Sequence, residues 1–130
     1  MAPFIFRTRI RFIDTDASGR IHYTAMFRYF ESAEIEFLRS LGIAYIPEGP
    51  FSFPRVHVEC DYLVPLAHDD EIEIHVRVGK LGSTSLRLDF QTMKQDLLAA
   101  QGNVTIVCIN RDTKRPIPWP DELKRKLAHL

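Results

Sequence analysis

The sequence predicts an α+β fold in which one long helix packs against an antiparallel β-sheet. Three observations support this fold class. The first segment alternates apolar and polar residues, residues 24–42 repeat apolar residues at helical spacing, and four alternating segments follow residue 54. Parallel strands need long crossover connections, and no helix separates the last four segments, so the sheet is predicted to be antiparallel.

The first strand is predicted to begin at Phe4 and to end near Ile13. Phe4, Phe6, Thr8, Ile10 and Phe12 fall on one face, opposite Ile5, Arg7, Arg9 and Arg11. An acidic turn, residues 14–19, is expected to follow.

The long helix is predicted to begin at about Thr24 and to stop at Gly42, which supplies a C-terminal signal. Its apolar face is formed by Met26, Phe27, Phe30, Ala33, Phe37, Leu38 and Leu41. Prolines then make residues 46–54 an irregular connector.

Four further strands are expected because the apolar period changes to two after the connector. They cover about residues 56–62, 72–78, 86–91 and 101–110, with a turn at residues 80–84. A short amphipathic helix is predicted over residues 121–130 as a packing lid.

The turn before the helix brings a carboxylate close to a helix start. The first N–H groups of a helix have no internal partner and carry the positive end of its dipole. The N–H groups of residues 23–25 can therefore hold a carbonyl oxygen while Asp16 faces its carbon or a water molecule. The alternative is purely structural, with Asp14 and Asp16 capping the turn and Thr24 capping the helix.

The segment from Asp14 to Gly42 resembles the signature of hotdog-fold acyl-CoA thioesterases of the 4-hydroxybenzoyl-CoA thioesterase type, including the branch associated with the Tol–Pal gene cluster. The matching positions are Asp14, Asp16, Gly19, His22, Tyr23, Tyr29, Phe30 and Glu31. The likeness continues through residues 69–86 and 110–123 and covers nearly the whole chain.

The resemblance implies a five-stranded antiparallel sheet wrapped around one long central helix, and the hydrolysis of an acyl-CoA thioester. Asp16 takes the catalytic place, as nucleophile or general base, and Tyr23 supplies the oxyanion N–H. His22 either hydrogen-bonds the acyl group or a water, or is a buried structural histidine. Asp14 is interpreted as a residue that fixes the turn.

The resemblance also implies an acyl-CoA partner and a homodimer, or further a homotetramer, with active sites at the subunit interface. Substrate contacts are expected from Gly19, Thr24, Phe27, Lys80, Ser83, Ser85 and Arg87, although Lys80 and Arg87 are equally typical of solvated surface charges. Coenzyme A is part of the substrate, and no separate cofactor is implied.

Two departures from the family pattern concern the site. His22 precedes Tyr23, whereas the Tol–Pal branch usually has the two residue types in the reverse order. Ser18 and Arg20 replace the usual glycine and valine, so the arginine is expected to alter which substrates are accepted.

The composition predicts one domain over residues 1–130. The formal net charge is zero, with 17 basic and 17 acidic residues, so neither nucleic acid nor an anionic membrane is an expected partner. No apolar run is long enough to span a bilayer, and a cytoplasmic location is expected. The two cysteines lack metal or redox spacing, and no metal site is predicted.

Two other functions remain open for this sequence. A hotdog hydratase would use the same fold, but its motif has Asn-Pro after the aspartate and a histidine five positions after it, and His22 is six after Asp16. A non-enzymatic acyl-CoA or acyl-carrier-protein binding module would have no need for a carboxylate at the thioester.

Overall fold

The computed structural model describes residues 2–128. Its strands are β1 (Phe4–Arg9), β2 (Phe51–Ser52), β3 (Arg55–Tyr62), β4 (Glu71–Leu81), β5 (Ser85–Lys94), β6 (Leu97–Val107) and β7 (Ile109–Asn110). Its α-helices are α1 (Met26–Ser40) and α2 (Asp121–Ala128), and residues Phe12–Asp14 form a short 3-10 helix.

Five of these strands form one antiparallel sheet in the order β1-β4-β5-β6-β3. Helix α1 packs on one face of it, and the ring of Phe30 stacks on that of Phe90 with centroids 4.6 Å apart. Both rings are at most 1% exposed. A single layer of apolar side chains between helix and sheet is therefore the core, and the predicted α+β fold with five antiparallel strands is confirmed.

The prediction that β1 continues to Ile13 is wrong. The strand ends at Arg9, and the side chains of Phe12 and Ile13 are 74% and 81% exposed instead of facing the core. Beyond Ile10 the backbone leaves the sheet, since the N–H of Arg11 donates to the hydroxyl of Tyr29 at 2.9 Å. This contact with α1 diverts the chain into the 3-10 helix.

Other boundaries differ by a few residues from their predictions. Helix α1 starts at Met26, with Ala25 at the N-cap position and no side-chain cap, so Thr24 does not cap it. Strands β4, β5 and β6 are longer than predicted because tight hairpins continue their pairing to Leu81–Leu86 and Lys94–Leu97. The connector also contains β2, which pairs with β7 in a second, two-stranded sheet.

Strand β3 is an edge of the main sheet and is poorly covered. Val56 and Val58 are 59% and 47% exposed, although both are apolar residues in a strand. An edge strand presents unpaired backbone groups on its outer side. The β3 edge, defined as residues 55–62, is therefore an open apolar border of the sheet.

The C-terminal helix α2 packs through Leu127, which is 2% exposed, as its amphipathic pattern predicts. The last two residues of the predicted helix, 129 and 130, lie outside the described residues. Within residues 2–128, neither helix combines the length and apolar character that a membrane crossing requires.

Candidate active site

The segment from Asp14 to His22 folds back on itself as a small hairpin. The N–H of His22 donates to the carbonyl of Asp14 at 2.8 Å, and the N–H of Asp16 donates to the carbonyl of Arg20 at 2.9 Å. The turn closes where the N–H of Gly19 donates to the carbonyl of Asp16 at 2.9 Å, and Gly19 has a φ of +78°. Glycine is suited to this left-handed conformation, so Gly19 shapes the loop through its backbone.

Asp16 lies on the solvent side of this hairpin. Its Oδ1 accepts hydrogen bonds from the N–H of Ser18 at 2.8 Å and from the Ser18 hydroxyl at 2.5 Å. These bonds stabilise the carboxylate and hold its pKa below the usual range, the hydroxyl contributing most. Asp16 is therefore an ionised, accessible carboxylate with one oxygen outside these bonds to Ser18.

Asp14 lies on the protein side and is 1% exposed. Its carboxylate accepts hydrogen bonds from Arg11 Nε at 3.2 Å, from the Tyr29 hydroxyl at 2.6 Å, and from Nε and Nη2 of Arg28. Burial raises its pKa, but the bonds from Tyr29 and Arg28 outweigh burial and keep the pKa below the usual range. The interpretation that Asp14 fixes the turn through its own neighbours is thus incomplete, because its side chain binds helix α1.

The expected oxyanion donors, the N–H groups of residues 23–25, differ in their availability. The N–H of Ala25 donates to the carbonyl of His22 at 2.9 Å, and the N–H of Thr24 donates to His22 Nδ1 at 3.1 Å. Within residues 2–128 the N–H of Tyr23 makes no hydrogen bond. Of the three, Tyr23 is the donor that a substrate can use.

His22 and Thr24 are bonded to each other as well, with His22 Nδ1 2.8 Å from the Thr24 hydroxyl. The imidazole of His22 also stacks on the ring of Tyr23, with centroids 4.5 Å apart. His22 is half-buried, and these contacts leave its Nε2 without a bond to the described residues. The histidine therefore combines a local structural role with one nitrogen available to a ligand.

An apolar cavity of about 300 Å³ lies beside the hairpin. Its walls include Ile21, Tyr23, Tyr62, Leu63 and Leu66. The hydroxyl of Tyr62 donates to the carbonyl of Tyr23, which joins the end of β3 to the start of α1. Tyr23 therefore lines the cavity and also carries the available N–H.

Several aromatic and large apolar side chains of α1 and of the connector lie in the core. Met26 and Phe30 are fully buried in the core. Phe53 packs against Trp119, whose N–H donates to the carbonyl of Ser85 near the β4–β5 turn. Phe27 is half-buried and remains beside the helix start.

The predicted coenzyme A contacts lie elsewhere in the chain. Lys80, Ser83 and Ser85 surround the β4–β5 turn, and Arg87 is bound to Asp89 at 2.9 Å on the sheet face opposite α1. The hairpin meets the other end of β4, where Arg20 bridges to Ala67. Strand β4 separates the two ends by about 30 Å. One chain therefore does not bring these residues to Asp16.

No group of three or more histidine, cysteine or acidic side chains is arranged to hold a metal ion among residues 2–128. Both cysteines are free, and burial raises the pKa of Cys60 to about 11. The polar groups that the hairpin presents are the Asp16 carboxylate, the His22 imidazole and the Tyr23 backbone N–H.

A family described as the thioesterase-like superfamily matches residues 10–127. The chain belongs to this superfamily. It is 25% identical to the acyl-CoA thioesterase YbgC of Haemophilus influenzae, over 98% of this chain and 96% of that protein. It is 28% identical to a 1,4-dihydroxy-2-naphthoyl-CoA hydrolase of Synechococcus elongatus, over 95% and 94% of the two chains.

The fold comparison agrees with the family. The crystal structure of a hypothetical protein from Aquifex aeolicus superposes with a TM-score of 0.90 at 31% identity, over 96% of this chain and 99% of the other. The resemblance to hotdog thioesterases and the prediction of a thioester hydrolase are confirmed.

Sequence reasoning missed the residues of this thioesterase-like domain that hold the hairpin. Helical spacing places Arg28 opposite the apolar face of α1, and the family resemblance matches Tyr29 without giving it a role. A buried tyrosine hydroxyl needs a hydrogen-bond partner, and this requirement was the available signal. It could not by itself identify Asp14 as that partner.

Proposed function

We propose that this protein hydrolyses acyl-CoA thioesters to a free acid and coenzyme A. The observation that carries the proposal is the accessible, ionised carboxylate of Asp16 on a hairpin that leads directly to the N–H of Tyr23, three residues before the first residue of α1. A base or nucleophile and an oxyanion donor together are what acyl transfer to water requires.

In the proposed reaction the thioester carbonyl oxygen accepts a hydrogen bond from Tyr23 N–H, with the positive end of α1 behind it. Asp16 either removes a proton from water as the water adds to the carbonyl carbon, or adds to that carbon itself and forms an anhydride that water then cleaves. Both routes break the carbon–sulfur bond, consume one water and release the acid and the thiol. His22 Nε2 hydrogen-bonds the substrate or the water.

The cavity next to Tyr23 is the proposed acyl site. Its apolar walls gain about 0.8 kcal/mol for each methylene they bury, so they favour acyl groups larger than acetyl. A volume near 300 Å³ suits an aromatic ring or a medium-length chain. Relatives named for hydrolysis of a naphthoyl-CoA support an aromatic acyl group as a candidate.

The proposed assembly is a homodimer joined along the β3 edge. Pairing with a second copy would cover Val56 and Val58 and use the outer backbone groups of β3. It would also allow Lys80, Ser83, Ser85 or Arg87 of a second copy to contact the coenzyme A part of the substrate. On the same scheme, two such dimers assemble into the proposed tetramer.

Thiol release from a series of acyl-CoAs tests the proposal. We expect benzoyl-CoA and octanoyl-CoA to be hydrolysed with a kcat/KM roughly a hundredfold above that of acetyl-CoA, because four or more buried carbons distinguish them. An enoyl-CoA is included, and hydration of it without thiol release would favour the hydratase. Binding of acyl-CoA without turnover of any of them would favour the binding module, and a preference for acetyl-CoA would contradict the acyl cavity.

The pH dependence of kcat/KM reports the carboxylate of the free enzyme. Since the Ser18 hydroxyl lowers the pKa of Asp16, activity should fall only as the pH passes below the usual range of an aspartate carboxyl, through that lowered pKa. We expect Ser18→Ala to raise the pKa of Asp16 and shift this acid limb to higher pH, which a kcat/KM profile from pH 8 to pH 3 measures. Thr113→Ala, which removes an exposed hydroxyl from another loop, should leave the limb in place. Activity that rises steadily towards pH 4 would exclude an ionised Asp16 as the working group.

A further inference from the structure

Asp14 connects three parts of the chain around the proposed site. Its side chain reaches α1 through Arg28 and Tyr29 and reaches the segment that follows β1 through Arg11. Its backbone carbonyl accepts the N–H of His22 at 2.8 Å, on the other strand of the hairpin. The hairpin therefore docks on the helix at one residue.

The Tyr29 hydroxyl is central to this contact. It donates to Asp14 Oδ2 at 2.6 Å and accepts the N–H of Arg11 at 2.9 Å. Tyr29 is 4% exposed, and burial raises the pKa of its hydroxyl, so the hydroxyl stays protonated as a donor. Its two bonds hold the two ends of the 3-10 helix, since Arg11 directly precedes the helix and Asp14 ends it.

Arg28 supplies charge to the same carboxylate. Its Nε donates to Asp14 Oδ1 at 3.1 Å, and its Nη2 donates to that oxygen as well. The other oxygen, Oδ2, accepts a hydrogen bond from Arg11 Nε, so two guanidinium groups balance the charge of one buried carboxylate. The negative charge of Asp14 is consequently compensated by the two arginines, and burial keeps its carboxylate out of reach of a substrate. The reaction is therefore left to Asp16, two residues further along the chain.

The position of Asp14 determines the positions of both reacting groups, the Asp16 carboxylate and the Tyr23 N–H. Asp16 follows it by two residues on one strand of the hairpin. On the other strand of the hairpin, the N–H of His22 donates to the carbonyl of Asp14, and His22 directly precedes Tyr23. A movement of Asp14 away from α1 would change the distance between the Asp16 carboxylate and the helix N-terminus.

We propose that Tyr29 and Arg28 are positioning residues that, through Asp14, set the Asp16 carboxylate against the Tyr23 N–H. This inference rests on the proposed thioester hydrolysis and assigns two residues of α1 to it. Neither residue touches the substrate. Their effect should appear in the rate of the chemical step and not in substrate affinity.

The first test is Tyr29→Phe, which removes the hydroxyl and keeps the ring in the core. Misplacement of a reacting group by about 1 Å costs on the order of a hundredfold in rate. We expect kcat for benzoyl-CoA to fall about tenfold to a hundredfold while KM stays within about twofold. The matched control is Tyr45→Phe, since the Tyr45 hydroxyl donates to Glu31 at 2.9 Å on the same helix but away from the hairpin. It should leave both constants unchanged.

A second pair of variants separates positioning from folding. Arg28 is 53% exposed, so Arg28→Gln and Arg28→Lys should both fold, and thermal unfolding verifies this. We expect Arg28→Gln to lower kcat about tenfold and Arg28→Lys, which restores a positive charge near Asp14, to recover most of it. The double variant Asp14→Asn with Tyr29→Phe should lose less kcat than the product of the two single fold losses, because both changes act through one contact.

The outcomes distinguish the two proposals. If the wild type hydrolyses acyl-CoA and Tyr29→Phe keeps a wild-type kcat, the positioning role is overturned and the proposed function stands. A loss that appears equally in Tyr45→Phe, or only in KM, also overturns the positioning role. If the wild type releases no thiol from any acyl-CoA, both proposals fail.

Discussion

Asp16→Asn should lower kcat for acyl-CoA hydrolysis by roughly a hundredfold to ten-thousandfold, since one positioned general base typically contributes this much. The amide removes the nucleophile and the base together. Its oxygen can still accept the hydrogen bonds of Ser18, so the hairpin should keep its shape. The measurement is thiol release at saturating substrate, with acyl-CoA binding determined separately by calorimetry.

Asp112→Asn is the matched control for this variant, because Asp112 is an exposed aspartate in a loop next to β7. It should retain wild-type kcat. Acyl-CoA binding should be nearly the same in the wild type and both variants. Hydrolysis by Asp16→Asn at close to the wild-type rate would show that another group does the chemistry.

Val58→Glu should dissociate the proposed dimer and abolish most of the activity. Val58 is an apolar residue of β3 with 47% of its surface exposed. In a symmetric interface each change occurs twice, and two unpaired carboxylates buried near the dyad cost several kcal/mol. Sedimentation equilibrium should show a dimer for the wild type and a monomer for the variant, and kcat/KM should fall at least about a hundredfold because the coenzyme A contacts of the second copy are lost.

The control introduces the same charge at the opposite edge of the sheet. Thr8 lies on β1, which borders β4 on one side only, and Thr8→Glu should remain a dimer with wild-type activity. A fully active Val58→Glu monomer would refute a shared active site. Dissociation by Thr8→Glu instead would place the interface on β1.

Most of the fold was predictable because the patterns that specify it are local. The alternation in residues 72–78 and 86–91 placed β4 and β5, and the spacing of Phe30, Ala33 and Phe37 placed the face of α1 on the sheet. Strand ends were less predictable. They depend on how far hairpin pairing continues, as between Lys94 and Leu97, and on diverting contacts such as that of Arg11 with Tyr29.

The candidate site was likewise predictable in part from the sequence and in part not. The sequence alone identified the turn with Asp16 and Gly19 and the candidate donor Tyr23 just before the helix, because these residues are close neighbours in the chain. It could not predict that Asp14 would be buried.

The tertiary structure alone decided which aspartate faces solvent and which N–H group remains available. Asp14 is held by Arg28 and Tyr29, which lie 14 and 15 residues away, and only the packing of α1 brings them together. The same packing places Tyr62 against Tyr23 across 39 residues of sequence. Patterns of apolar spacing specify which face a residue lies on, but a polar partner is fixed only when separate elements meet.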